Sequence, residues 1–245
     1  MCLLAIAWQM NPQWPLQVWA NRDERHDRST LPLDDWSEGW VGGRDAEAGG
    51  TWMALDPKRR RWAAVTNVRE PRHPAGHRSR GDLPLAFLKS QQEPAAFFEH
   101  IQPVLPEYAG FNLLVCDGFR LCWLSNRHEY PVVLDPGIHV ICNGTIGHDW
   151  PKQRRLAERI RSGRPWLDCL HDEYQPPDDQ LPETGVGLEF ERLLGRIFIR
   201  TPYYGTRCSS RVQLSHLGAW SFEEQTWSPE GEKLGPIRML GHHQN

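Results

Sequence analysis

The second residue of the chain is a cysteine, and it heads Met1-Cys2-Leu3-Leu4-Ala5-Ile6-Ala7-Trp8-Gln9, an apolar run of strand length. Removal of Met1, the usual fate when the next side chain is as small as Cys, puts a thiol and a free α-amine on one residue. The amine titrates at about 7.7–8.0 and a free thiol at about 8.5, so the amine can act as general base for its own sulfur without a histidine. Other polar groups stand at the tips of apolar stretches: Asn21-Arg22-Asp23-Glu24 after 15–20, Asn67 closing 62–67, Asn143 after 138–142, and Arg207 opening 207–216. A developing oxyanion needs fixed neutral donors, which Asn amides supply, and a nearby Arg lowers a thiol pKa. The competing account makes Cys2 a small buried apolar residue and the 21–24 cluster a set of loop-fixing ion pairs.

Strand-like alternation marks 3–8, 15–20, 51–55 and 62–67, the last two forming a hairpin across Asp56-Pro57. Residues 26–50, polar and rich in Gly and Asp, read as a long surface loop, and 70–82 as a second. Helices are expected over 83–90 and 93–105, with Pro94 in the first turn of the second. Strands 111–116 and 119–124 join at Asp117-Gly118, the strongest hairpin signal in the chain. Strands 132–134 and 138–142 follow, then helices at 152–161, 164–171 and 188–195, and strand-like 197–200, 207–216 and 219–227. The terminal residues 241–245 read as frayed. Strand runs alternating with helix pairs argue for an α+β fold of antiparallel sheet layers covered by helices rather than βαβ units, in one domain spanning 1–245.

The 245 residues carry a formal net charge of −3, which gives no reason to expect nucleic acid or an anionic membrane as partner. The arginine clusters at 58–61 and 69–80 read as solvated faces. The opening apolar run lacks a basic n-region and is too short for a secretory leader, and no apolar run reaches spanning length. Six cysteines without CxxC or zinc spacing suit buried reduced thiols in a cytoplasmic protein, and the twelve tryptophans suit core and groove walls.

Seven motifs then occur in order along the chain: Met1-Cys2-Leu3-Leu4, Ala20-Asn21-Arg22-Asp23-Glu24, Gly49-Gly50-Thr51-Trp52, Thr66-Asn67, Gly110-Phe111-Asn112-Leu113, Cys142-Asn143 with Trp150-Pro151-Lys152, and Tyr204-Gly205-Thr206-Arg207. On these the chain resembles the NRDE family, whose animal members are called transport and Golgi organisation protein 2. The resemblance implies a four-layer αββα sandwich like that of the N-terminal-nucleophile (Ntn) hydrolases, nearest by analogy to the choloylglycine hydrolases. By motif position it implies Cys2, Arg22, Asp23, Asn67, Asn143 and Arg207 as site residues. Asn21, Glu24, Trp52 and Tyr204, with His73, His77 and His148 in the loops beside them, are candidate ligand contacts. In those hydrolases the Arg and Asp are three residues apart, whereas Arg22 and Asp23 are adjacent. Adjacent strand residues point to opposite faces, so both reach Cys2 only if the strand has ended by Asn21. The function implied is binding and intracellular trafficking of haem or a similar amphiphile such as an acyl-CoA, with haem as cargo and no required cofactor. The alternative is a Cys2-dependent amidohydrolase or thioesterase.

Overall fold

The computed structural model describes residues 2–70 and 77–242. The chain enters as β1 (Cys2–Trp8), buried at every position, and pairs antiparallel with β2 (Leu16–Arg25), Cys2 lying directly opposite Arg22. Then come β3 (Thr30–Asp35), β4 (Val41–Asp45), β5 (Met53–Asp56) and β6 (Arg61–Asn67). Two helices follow, α1 (Asp82–Lys89) and α2 (Pro94–Ile101), the latter passing into a 3-10 turn at Gln102–Glu107. Strands β7 (Phe111–Cys116), β8 (Leu121–Ser125), β9 (Val132–Val133) and β10 (Gly137–Ile141) precede α3 (Pro151–Arg161), α4 (Trp166–Leu170) and α5 (Leu188–Leu194). The remaining strands are β11 (Tyr204–Leu214), β12 (Trp220–Thr226) and β13 (Arg238–His242).

Among the described residues these strands form two antiparallel sheets, ordered β10-β1-β2-β11-β12-β13 and β3-β4-β5-β6-β7-β8-β9. The period-2 alternation of the strands decides the layering. Leu4, Ile6 and Trp8 of β1, with Val18 and Ala20 of β2 and Val212 of β11, meet Met53, Leu55, Trp62, Leu114 and Trp123 of the other sheet in one apolar layer. The intervening residues face outwards. Ala63, Val65, Leu113 and Val115 pack under Leu83 and Phe87 of α1 and Phe97 and Ile101 of α2. On the far side Leu3 and Ala5 pack under Leu156 of α3 and Leu170 of α4. The result is a four-layer αββα sandwich in an α+β fold.

Three expectations are corrected. The stretch 26–50 is not all loop, since it contains β3 and β4. Its polar composition reflects an edge position: β3 ends the sheet and so tolerates Pro32, while Leu33 and Val41 alone bury apolar side chains. Residues 197–200, apolar except for Arg200, form no strand; Ile197 packs under the helices, and Phe198 packs edge-on to His171 and Trp227. Gly241 and His242, expected to fray, pair with Ser221 and Trp220 in the edge strand β13.

The arginine clusters are not solvated throughout. Arg61 is 7% exposed and donates to the carbonyls of Phe87 and Gln92, and Arg69 is equally buried in an ion pair with Glu191. A Lys/Arg run gives no sign of which members the fold will cover. All six cysteines are buried and free, and no helix among the described residues is long and apolar enough to cross a membrane.

Candidate functional site

Strand β2 does not end at Asn21. It runs to Arg25, and its alternation divides the tetrapeptide between two faces. Arg22 lies opposite Cys2 on the face between the sheets, and Glu24 shares that face. Asn21 and Asp23 turn towards the helices. Asn21 is wholly buried and donates to the carbonyls of Leu170 and Ile197 at 2.9 Å each, while its Oδ1 accepts from the Ser209 hydroxyl. Its observed work is to bind helix layer to sheet. The Asp23 carboxylate accepts from the Thr206 hydroxyl at 2.7 Å, and burial raises its pKa against the pull of buried Lys152 on α3.

Cys2 borders a cleft of about 480 Å³. Its lining brings together Cys2, Arg22, Asp23, Glu24, Trp52 and Asn67, with His77 from the second loop. The thiol is only 7% exposed, and burial pushes its pKa up to about 11 despite the opposing field of Arg22. Arg22 is itself 5% exposed; it donates to the Thr30 hydroxyl at 3.1 Å and faces Glu24 and Asp45 at 3.9 Å each.

Sequence reasoning missed most of the cleft's charge. Arg28, Arg44, Asp45, Arg78 and Arg80 all line it. Arg28 is anchored by Asp45 at 2.8 Å, Arg44 lies 3.9 Å over the Trp36 ring, and Arg80 donates to the Gly110 carbonyl. Arg78 and Arg80 arrive because the chain beyond the second loop crosses residues 49–51 in close contact: Thr51 donates its backbone N–H to the Gly81 carbonyl, and a Cβ at Gly50 would sit 2.7 Å from the Gly81 carbonyl carbon. That close approach is the physical reason for glycine at 50. Gly50→Ala is therefore expected to displace the 78–81 segment and lower stability by about 1–3 kcal/mol, read from the urea midpoint. An unchanged midpoint would show that the crossing relaxes freely.

The other expected site residues stand elsewhere. Asn143 is behind Asn67: one of its amide N–H groups donates to the Asn67 carbonyl at 3.0 Å, and its Oδ1 is buried without a hydrogen-bond partner among the described residues. Asn112, within a motif but given no role from sequence, fixes that turn by donating to the carbonyls of Cys142 and Gly144 and to Thr66. Arg207 does not line the Cys2 cleft; its guanidinium donates to the carbonyls of Arg25, His26 and Arg28, pinning the β2–β3 turn beside it. The Tyr204 hydroxyl donates to the Asp23 carbonyl. His148 packs on Trp150 and borders a separate surface cavity with Gln153 and Arg154. His73 lies outside the described residues. Among the described residues no cluster of three or more His, Cys, Asp or Glu could hold a metal ion.

The fold and site together define an αββα sandwich protein with a cysteine at the head of a central strand, opening on an arginine-walled cleft. The family described as Transport and Golgi organisation 2 matches residues 1–229, and the chain belongs to it. It is 29% identical to the transport and Golgi organization protein 2 homolog of Bos taurus and 27% identical to that of Homo sapiens, in each case over 92% of this chain and 93% of the relative. Among solved structures, the mutant C2A conjugated bile acid hydrolase from Clostridium perfringens is similar at a TM-score of 0.49 and 9% identity, covering 98% of this chain and 92% of that one.

Proposed function

We propose that this chain binds a small anionic amphiphile in the Cys2 cleft and carries it within the cytoplasm, with haem and acyl-CoA-like molecules as the two candidates. The observation that carries this reading is the cleft's charge: five arginines, at 22, 28, 44, 78 and 80, against the carboxylates of Glu24 and Asp45, the Asp23 carboxylate being turned to Thr206. Partly buried guanidinium groups bind carboxylate and phosphate in a bidentate way, and haem propionates or a CoA phosphate both supply such groups. Trp52, Val65 and Ala109 supply apolar wall beside them. The relatives' name, transport and Golgi organization, agrees with a carrier. For haem as cargo, His77 is the imidazole in the cleft lining and Cys2 its thiol.

Titration of the purified protein with haem, followed at the Soret band, and with palmitoyl-CoA by calorimetry tests this. Saturable binding of at least one, at about 10 µM or tighter, is expected. Absence of saturable binding for both below the order of 100 µM would sink the reading.

A second reading, hydrolysis, is favoured by Cys2 standing opposite Arg22 with Asn67 in the same lining. The thiol at about 11 leaves on the order of one sulfur in ten thousand ionised at pH 7, so the chemistry needs a local base. In a chain beginning at Cys2, the α-amine takes the thiol proton as sulfur attacks the carbonyl carbon of an amide or thioester. The leaving group departs with that proton, and water then cleaves the acyl-sulfur bond to free the acid. On this reading Asp23, one position beyond Cys2's partner on β2, orients that amine. Intact mass decides whether residue 1 is removed. With it removed, turnover of an acyl panel that survives Cys2→Ala would end this reading.

A further inference from the structure

One row of side chains crosses the six-stranded sheet. Cys2 on β1 lies opposite Arg22 on β2, Arg22 lies opposite Cys208 on β11, and Cys208 lies opposite Thr226 on β12. Directly opposed residues of antiparallel strands share a face, so all four look into the space between the sheets. The first two border the Cys2 cleft. The last two border a second cavity of about 230 Å³, and the two cavities share Thr30, Gly43 and Trp52 as their common wall.

The two linings differ in kind. The first cavity is walled by guanidinium groups. The second has Leu31, Pro32, Trp52 and Leu234 as apolar wall, with the Cys208 thiol and the Thr226 hydroxyl in its floor. Of its charged groups, Arg207 is held through its Nη1 alone against three backbone carbonyls and Arg238 is exposed at the rim. Glu224 is 3% exposed, with Oε1 accepting from the Leu33 N–H, and burial raises its pKa. A second anion beside that carboxyl would have to be buried against it, whereas an uncharged chain can lie along the apolar wall, thiol and hydroxyl without that cost.

We propose that the two cavities form one two-chamber site, in which the anionic end of the ligand is held at Arg22 and an unbranched apolar tail runs along the Arg22–Cys208–Thr226 row into the second chamber. This rests on the anion-binding reading of the first chamber and adds the ligand's orientation and length. The row itself sets that length. From Arg22 to Thr226 the row crosses two strand spacings, about 10 Å. The ligand class is thus a carboxylate or phosphate ester with a tail of about eight carbons, and a flat macrocycle is excluded from the inner chamber.

The test uses a series of alkyl phosphates from ethyl to hexadecyl, each titrated into the full chain and followed by tryptophan fluorescence. Affinity is expected to rise about fourfold per methylene up to about eight carbons and then level off. In Thr226→Phe, which fills the inner chamber, the dependence on length should vanish. A variant-free measurement stands beside it: octyl phosphate should show NMR contacts from its tail protons to the methyl groups of Thr226 and Leu234. If ethyl phosphate binds but affinity is flat with length, or the tail contacts are absent, the two-chamber inference is overturned while the anion site stands. A length dependence that persists unchanged in Thr226→Phe overturns it too. If no member of the series binds, the anion-binding reading fails and takes this inference with it.

Discussion

Glu191→Gln should cost about 3–5 kcal/mol of stability, more than any substitution in the cleft, although Glu191 lies outside it. Glu191 on α5 and Arg69, just past β6, form an ion pair with side chains 4% and 3% exposed. The carboxylate's other oxygen accepts from the backbone N–H and the hydroxyl of Thr184. Lys152, also buried, donates to the Leu194 carbonyl at 3.0 Å, and Arg69 reaches the same oxygen at 3.4 Å. The glutamine keeps the shape and can keep a hydrogen bond, but it leaves buried Arg69 without its carboxylate partner and leaves buried Lys152 with one counter-charge fewer, Asp23 remaining.

The pH dependence of that loss has a definite sign. Burial already lowers the Lys152 pKa, and Glu191 opposes that shift. Without Glu191 the folded pKa falls further below the unfolded value of about 10.4. A lysine with a depressed folded pKa releases its proton on folding, so its penalty is full below the folded pKa and fades as pH rises towards the unfolded one. The deficit of the variant, measured by urea unfolding, should therefore shrink between neutral and alkaline pH. A deficit under about 1 kcal/mol at pH 7 would mean that water reaches the pair and that it is worth no more than a surface bridge.

Arg22→Met should weaken binding of haem or palmitoyl-CoA by about ten- to a hundredfold, the equivalent of one charge-assisted hydrogen-bonded contact. Arg22 is the guanidinium that stands directly opposite Cys2, and both its carboxylate neighbours lie at 3.9 Å, beyond hydrogen-bond length. Its donors are thus not fully engaged, and a ligand oxyanion can complete them. Removing it also leaves Glu24 and Asp45 facing the ligand, although Asp45 keeps Arg28. Arg22→Lys should be intermediate, because the charge stays and the fork is lost. Calorimetry on the folded variants decides; a change under about threefold for both ligands would move the anion site to Arg28, Arg44 and Arg80.

Local chemistry explains which elements could be read directly. The hairpin at Asp117-Gly118 and the one across Asp56-Pro57 form where expected, helices α2, α4 and α5 fall within the expected ranges, and α1 and α3 begin one residue earlier than expected. Their signals are a turn residue, a proline in the first turn, or a periodic apolar stripe, each carried by neighbouring residues. Strand β3 gave no such signal, because an edge strand needs only a few apolar contacts and otherwise looks like loop, and β4 beside it gave none because Val-Gly-Gly-Arg-Asp offers a single apolar side chain. The edge position accounts for β13 as well. The segment 197–199 shows the converse, apolar through packing without a full ladder to hold it extended.

For the site, sequence alone determined the candidates and their period. Cys2 at the head of a buried strand, Arg22 and Asp23 on opposite faces if their strand continued, and Asn67 at a strand tip are consequences of residue type and two-residue alternation. Only the tertiary structure decided which tips meet. Strand pairing set Arg22 across from Cys2, sent Asn21 and Asp23 to the helix side, and put Arg207 beside the cleft rather than in it. The crossing at Gly50 and Gly81 drew Arg78 and Arg80 out of what reads as a solvated run into the cleft wall. Charge runs carry no information about what will lie over them, because burial is fixed by contacts between segments far apart in the chain.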